Sequence, residues 1–130
     1  MTLRQVIRNA TVFDSVSGRL LPHSQIVIEG ERIAAVTSEP IQVDDARVID
    51  AGGRVVLPGL IDAHVHVVAA SHDLVKLAMQ PPSLVSAESS RIMRDMLMRG
   101  FTTVRDAAGA DFGLQEAVQR GLFEIGRAHV

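Results

Sequence analysis

Residues 60–68, Leu60-Ile61-Asp62-Ala63-His64-Val65-His66-Val67-Val68, constrain this chain more than any other stretch. The run is almost continuously apolar, as a strand buried on both faces of a sheet is. Its polar exceptions all fall at even positions. Side chains alternate across a strand, so Asp62, His64 and His66 are expected to share one face, with Ile61, Ala63, Val65 and Val67 on the other. Two imidazoles at i and i+2 converge, and neutral imidazole nitrogens are good ligands for zinc, iron, nickel and related ions. A His-x-His pair alone fits two buried, hydrogen-bonded histidines at least as well. Its place at the C-terminal end of a parallel-type strand favours the metal reading, because α/β and barrel enzymes build their sites there. Asp62, one pleat step earlier, is a candidate to order the metal shell through hydrogen bonds. A carboxylate satisfied by backbone amides fits it equally well.

The segments on either side decide the fold class. Residues 1–57 read as short β-strands: one near 6–13, a hairpin of 25–28 and 32–36 turning at Glu29-Gly30-Glu31, another near 47–50, and a last one at 54–57. Gly18 and Pro22 punctuate the stretch before the hairpin. Beyond residue 68, Pro81-Pro82 bars a helix from running through, and Ser86 can N-cap a helix over 87–99. Ile92, Met93, Met96 and Leu97 give that helix an apolar stripe read as core packing. A second strand over 101–106 and a short helix over 114–120 follow. Strand, helix, strand, helix implies a parallel sheet with helical crossovers.

Composition narrows the function classes. Thirteen basic residues against 15 acidic ones give a net charge of -2, without the basic excess of a nucleic-acid surface. Zero cysteines exclude a disulfide framework, a Cys-ligated zinc or iron–sulfur site and a thiol nucleophile in these residues. Arg4, Gln5, Arg8 and Asn9 interrupt the first ten residues, unlike a signal peptide, and no apolar run approaches the roughly 20 residues of a membrane span. A cytoplasmic protein with neither a nucleic-acid nor a membrane partner is expected.

Pro58-Gly59-Leu60-Ile61-Asp62-Ala63-His64-Val65-His66 resembles the first barrel strand of the amidohydrolase superfamily, metal-dependent hydrolases on a (β/α)₈ barrel. Gly100-Phe101-Thr102-Thr103-Val104-Arg105-Asp106-Ala107-Ala108-Gly109 resembles that family's second-strand region, and segments 30–36 and 48–53 resemble its small β-sandwich. The similarity is greatest to the imidazolonepropionase-like and dipeptidase-like subgroup. It implies an α/β fold: part of a small β-sandwich over 1–57, then the first two β/α units of an incomplete TIM barrel over 58–124. It also implies that His64 and His66 bind a divalent metal, Zn2+ first among candidates, with one or two ions in the full-length protein. The implied activity is hydrolysis of an amide, cyclic amide or peptide-like C–N bond of a small-molecule substrate by a metal-activated hydroxide. A homo-oligomer of the full-length protein is compatible with the resemblance.

A complete barrel takes roughly 250 residues, so the chain is expected to be an N-terminal fragment, inactive alone and holding no catalytic residue. The family's bridging lysine belongs to a later strand, so Lys76 does not stand in for it. Its catalytic Asp lies on the last strand, which leaves Asp106 as a candidate lining the mouth. His72 reads as a loop histidine and His129 is no better placed. Residues 125–130, Ile-Gly-Arg-Ala-His-Val, match one reading frame of a common sequencing adapter and are expected to be a non-native tail. Two other classes fit the same residues: a non-catalytic metal-binding or assembly module, and a catalytically dead paralogue.

Overall fold

The structure, a computed structural model, describes residues 4–42, 44–124 and, for the backbone, 127–129. It divides into two compact units, Met1–Pro58 and Gly59–Val130.

In the first unit, β1 (Arg4–Asp14), β2 (Arg19–Glu29), β3 (Arg32–Thr37) and β4 (Arg47–Asp50) form a sheet in the order β3-β2-β1-β4, and β5 (Val55–Val56) also pairs with β1. The β1–β2 and β2–β3 pairs are antiparallel, whereas β4 and β5 run parallel to β1. Val6, Ala10, Ile26, Val27 and Ala51 are its buried apolar residues. Gly18 lies in the turn between β1 and β2 at φ 68°, as the punctuation suggested, whereas Pro22 interrupts nothing: β2 begins at Arg19 and passes through it. Register shifts on either side of Ala10 accommodate this, with Asn9 and His23 both in the left-handed region at φ 54° and 53°. A bulge frees the proline from the ladder donor it lacks.

Asp50 closes the turn between β4 and β5. Its Oδ1 accepts from the Gly52 amide at 2.8 Å and from Asn9 Nδ2 at 3.2 Å. The Gly52 amide first, and then Asn9, hold its carboxyl below the usual carboxylate range. Because the folded value is the depressed one, this support is complete above the ordinary carboxylate range and is lost as pH falls through the lowered value. The protection of the Gly52 amide, its exchange relative to that of an unstructured amide at the same pH, should therefore fall in acid, and in Asp50→Asn that acid step should disappear.

The second unit runs β6 (Leu60–Val65), α1 (Leu74–Ala78), α2 (Pro82–Met98), β7 (Phe101–Asp106), α3 (Phe112–Gln119) and β8 (Arg127–His129). Its sheet has the order β6-β7-β8, parallel throughout. Helix α2 begins at Pro82, five residues earlier than Ser86 capping predicts, and no side chain caps it. Proline at the first helical position lacks only an amide that would be unpaired there anyway, and its fixed φ suits the helix. Asp73 and Asp111 N-cap α1 and α3, each accepting from two amides.

The buried core of this unit is Val65, Val67, Met93, Val104 and Val118, with Met96, Phe101 and Leu114 packed against it. The expectation that β6 is buried on both faces fails: Leu60 is 44% exposed and Ile61 72%, and burial begins at Val65. Among the described residues, β6 pairs with one strand only, and the core covers only its C-terminal end. Gly59 is required by close approach, since a Cβ there would strike the Thr102 side chain.

Residues 127–129, within the segment read as non-native, pair with β7 from Thr103 to Arg105. Such pairing uses backbone groups that any residue but proline carries, so it does not bear on the segment's origin. Residues 125, 126 and 130 lie outside the described residues.

Candidate functional site

Strand β6 delivers the two histidines by ending between them: His64 is its penultimate residue and His66 the first residue beyond it. Val65 and Val67 are 6% and 3% exposed and anchor the segment in the core, while His64 and His66 are exposed. The buried valines thus fix the backbone that presents the imidazoles. The rings lie edge to face, with centroids 5.3 Å apart at an interplanar angle of 88°.

That spacing provides a test of whether a metal fits. Two imidazoles on one tetrahedral ion, each with a metal–nitrogen distance of about 2.0–2.1 Å, have ring centroids about 5 Å apart. The 5.3 Å separation of the pair agrees with this spacing. His66 Nδ1 lies 3.1 Å from the Ala108 carbonyl oxygen. A carbonyl only accepts, so Nδ1 carries the proton and Nε2 keeps its lone pair free for a ligand, the usual arrangement of a metal-binding histidine. Among the described residues no three His, Cys, Asp or Glu side chains gather, so they offer two candidate ligands and not a closed shell.

Asp62 directs its carboxylate at the backbone, its Oδ1 accepting from the His64 amide at 3.0 Å. It holds the main chain of a candidate ligand, and the bond goes to neither imidazole. Asp106, expected to line the mouth, is 8% exposed. Its Oδ2 accepts from the Val67 amide at 2.7 Å, and its Oδ1 from the Ala108 and Ala110 amides at 3.0 and 3.3 Å. Three amides occupy a carboxylate that would otherwise be costly to bury. His72 is exposed, Lys76 lies on α1, and the side chain of His129 is outside the described residues.

Two groups at this site escaped the sequence reading. The Ala108 carbonyl has no side-chain signature, and only Gly109 after it hints at an unusual turn. The Arg105 guanidinium reaches the Ala63 carbonyl at 3.5 Å, next to His64. Gly109 has a φ of +105°, and a Cβ there would collide with Val68 Cγ2. Gly109→Ala combines backbone strain with overpacking and should cost about 1–3 kcal/mol. Denaturant unfolding should record that loss, with His66 and Ala108 the most shifted resonances.

Residues 55–127 match the model of the amidohydrolase family. Adenine deaminase 2 of Agrobacterium fabrum is 47% identical over 62 residues, which is 48% of this chain and 10% of that protein. A dihydroorotase of Streptococcus thermophilus is 43% identical over 61 residues, 47% of this chain and 14% of that protein. Among solved structures, a prolidase complexed with N-methylphosphonate-L-proline superposes with a TM-score of 0.90 at 45% identity, over 96% of this chain and 31% of the prolidase chain. The chain thus spans a minor part of the length of each. No helix among the described residues is long and apolar enough to cross a membrane.

Proposed function

Since the chain belongs to the amidohydrolase family, we propose that it is the N-terminal part of a metal-dependent hydrolase that cleaves carbon–nitrogen bonds. Its parallel sheet is then the first part of a (β/α)₈ barrel, preceded by part of a small β-sandwich. The observation that carries this reading is the His64–His66 pair, exposed at the C-terminal end of a parallel strand with ring centroids 5.3 Å apart. In this position His64 and His66 would hold a divalent ion, zinc before others. The ion supplies Lewis acidity, which makes hydroxide available near neutral pH and polarises a carbonyl.

The protein's own part is to orient. Val65 and Val67 fix the strand end, Asp62 holds the His64 amide, and the Ala108 carbonyl keeps the His66 proton on Nδ1. The remaining ligands and the proton-shuttling carboxylate belong to later strands, so this segment alone is inactive and the whole protein holds one or two ions. The prolidase likeness at 45% identity over 96% of this chain supports a small substrate with an amide or peptide-like bond, in the imidazolonepropionase-like and dipeptidase-like subgroup. The dihydroorotase and the adenine deaminase align over less than half of the chain, which gives cyclic amides and amidines second place. A cytoplasmic location, no nucleic-acid or membrane partner and a homo-oligomer of the whole protein complete the reading.

The test is the whole protein, purified and measured for metal content and for hydrolysis of dipeptides, N-acyl amino acids, dihydroorotate and hydantoins. The expected result is bound divalent metal and turnover of at least one class, lost on chelation and restored by zinc. Bound metal without turnover of any class would favour a dead paralogue or a metal-binding module. Absence of metal would overturn the reading.

A further inference from the structure

Asp106 sits where two loops beside the histidines meet, and its carboxylate bonds only backbone. Oδ2 takes the Val67 amide, the first beyond His66, across a sequence separation of 39. Oδ1 takes the amides of Ala108 and Ala110, which bracket the Ala108 carbonyl. That carbonyl is the acceptor 3.1 Å from His66 Nδ1. We infer that Asp106 is a positioning residue for His66: one carboxylate fixes both the backbone that carries the imidazole and the carbonyl that sets its tautomer.

An imidazole exposed to water has no reason to keep its proton on Nδ1 unless an acceptor is held within reach of that atom. The Ala108 carbonyl can be such an acceptor only if its loop is fixed, and among the described residues the loop's anchors are the two bonds to Asp106 Oδ1 and the bond from the Ala107 amide to the Val65 carbonyl at 2.9 Å. At 8% exposure the carboxylate is shielded from the water that would compete for these amides. Asp106 therefore reaches the candidate metal ligand through the backbone, two bonds removed, and needs no contact with metal or substrate.

The inference rests on His66 being a metal ligand only for its consequence, and the experiment separates the two. Long-range proton–nitrogen correlation spectra of the 15N-labelled chain, recorded without metal above the imidazole pKa, read the tautomer of each histidine. His66 is expected as the Nδ1–H form. In Asp106→Ala it is expected to move towards a mixture containing the Nε2–H form, while His64 stays as it was. Asp106→Asn, which keeps one acceptor oxygen, is expected to fall between. Cobalt(II) titration should then show affinity falling by about 10–100-fold in Asp106→Ala, the loss typical of a missing outer partner of a metal ligand. A wild-type His66 in the Nε2–H form, or an unchanged His66 tautomer in Asp106→Ala, overturns the inference. Should the alanine variant fail to fold, Asp106→Asn and the wild-type amide exchange of Val67, Ala108 and Ala110 decide instead: fast exchange at all three, or an unmoved tautomer in Asp106→Asn, overturns it. Failure of cobalt to perturb His64 and His66 in the wild type would remove the proposed metal centre and leave the tautomer result standing.

Discussion

Replacing both His64 and His66 by alanine is expected to abolish zinc binding by this chain, and either single replacement to remove most of it. The reason is chelation. Once the first imidazole is bound, the second meets the ion at an effective concentration on the order of millimolar or more without further loss of translational freedom. Removing one imidazole therefore forfeits both a ligand and the advantage of the pair, and the loss should exceed the roughly 10–100-fold that a missing outer partner costs. Both histidines are exposed, whereas Val65 and Val67 carry the packing of the same segment. The variants should accordingly melt like the wild type, so that a binding loss cannot be attributed to unfolding. His72→Ala provides the comparison: this histidine is exposed and belongs to no group of three potential ligands among the described residues. Isothermal titration with zinc at neutral pH makes the measurement. A His72→Ala variant as impaired as His66→Ala would count against the pair as the site.

The parts of this picture that local pattern encodes were legible before any coordinates. Alternation through residues 60–68 marked His64 and His66 as partners, and the Met93 and Met96 stripe marked the inner face of α2, where Met93 is now 1% exposed. Strand β7 matches its predicted bounds of 101–106. What failed were judgements in which one local rule met a competing one. Pro81-Pro82 does keep a helix from running through, since α1 ends at Ala78, but Ser86 read as the cap of α2 and lies inside it, because a proline blocks a helix interior and not its first turn. Pro22 read as punctuation and lies within β2, because a bulge relieves it of pairing. Ile61 read as buried and is exposed, since its covering depends on neighbours that no pattern within β6 specifies.

The role of Asp106 was harder to see for a different reason. Its partners are main-chain amides, one of them 39 positions away, and main-chain amides are the same in every sequence. A carboxylate at the end of a strand is equally good evidence for a group that faces substrate and for one that ties down loops. Only the register of β6 against β7, which pairs Val65 with Asp106, distinguishes them. The same limit applies to Asp62, whose carboxylate holds the His64 amide. Residue type disclosed the chemistry available at this strand end, and the direction in which each group spends it came from tertiary contact.

Met93→Ala should produce the largest stability loss available in the second unit. Met93 is 1% exposed and shares the buried core with Val65, Val67, Val104 and Val118. Truncating a buried methionine removes its transfer energy and leaves a cavity that close-packed neighbours fill only in part, a cost of about 2–5 kcal/mol. Against the roughly 5–15 kcal/mol that typically holds a domain together, a loss of this size is a substantial fraction. For a unit of this size it corresponds to a fall in melting temperature of roughly 10 °C or more. Met96, only partly buried against the same core, should cost less when truncated, and Met93→Leu, which nearly conserves volume, should cost under about 1.5 kcal/mol. The first unit has its own sheet and buried residues, so thermal or urea unfolding followed by amide resonances should show the loss in residues 59–124 and not in 4–58. Because Val65 and Val67 flank the histidines from within this core, the same variant should also weaken zinc binding at temperatures where the second unit begins to open. A Met93→Ala variant that melts with the wild type would mean that α2 does not pack on β6 and β7, and the backbone presenting His64 and His66 would then lack the support described for it.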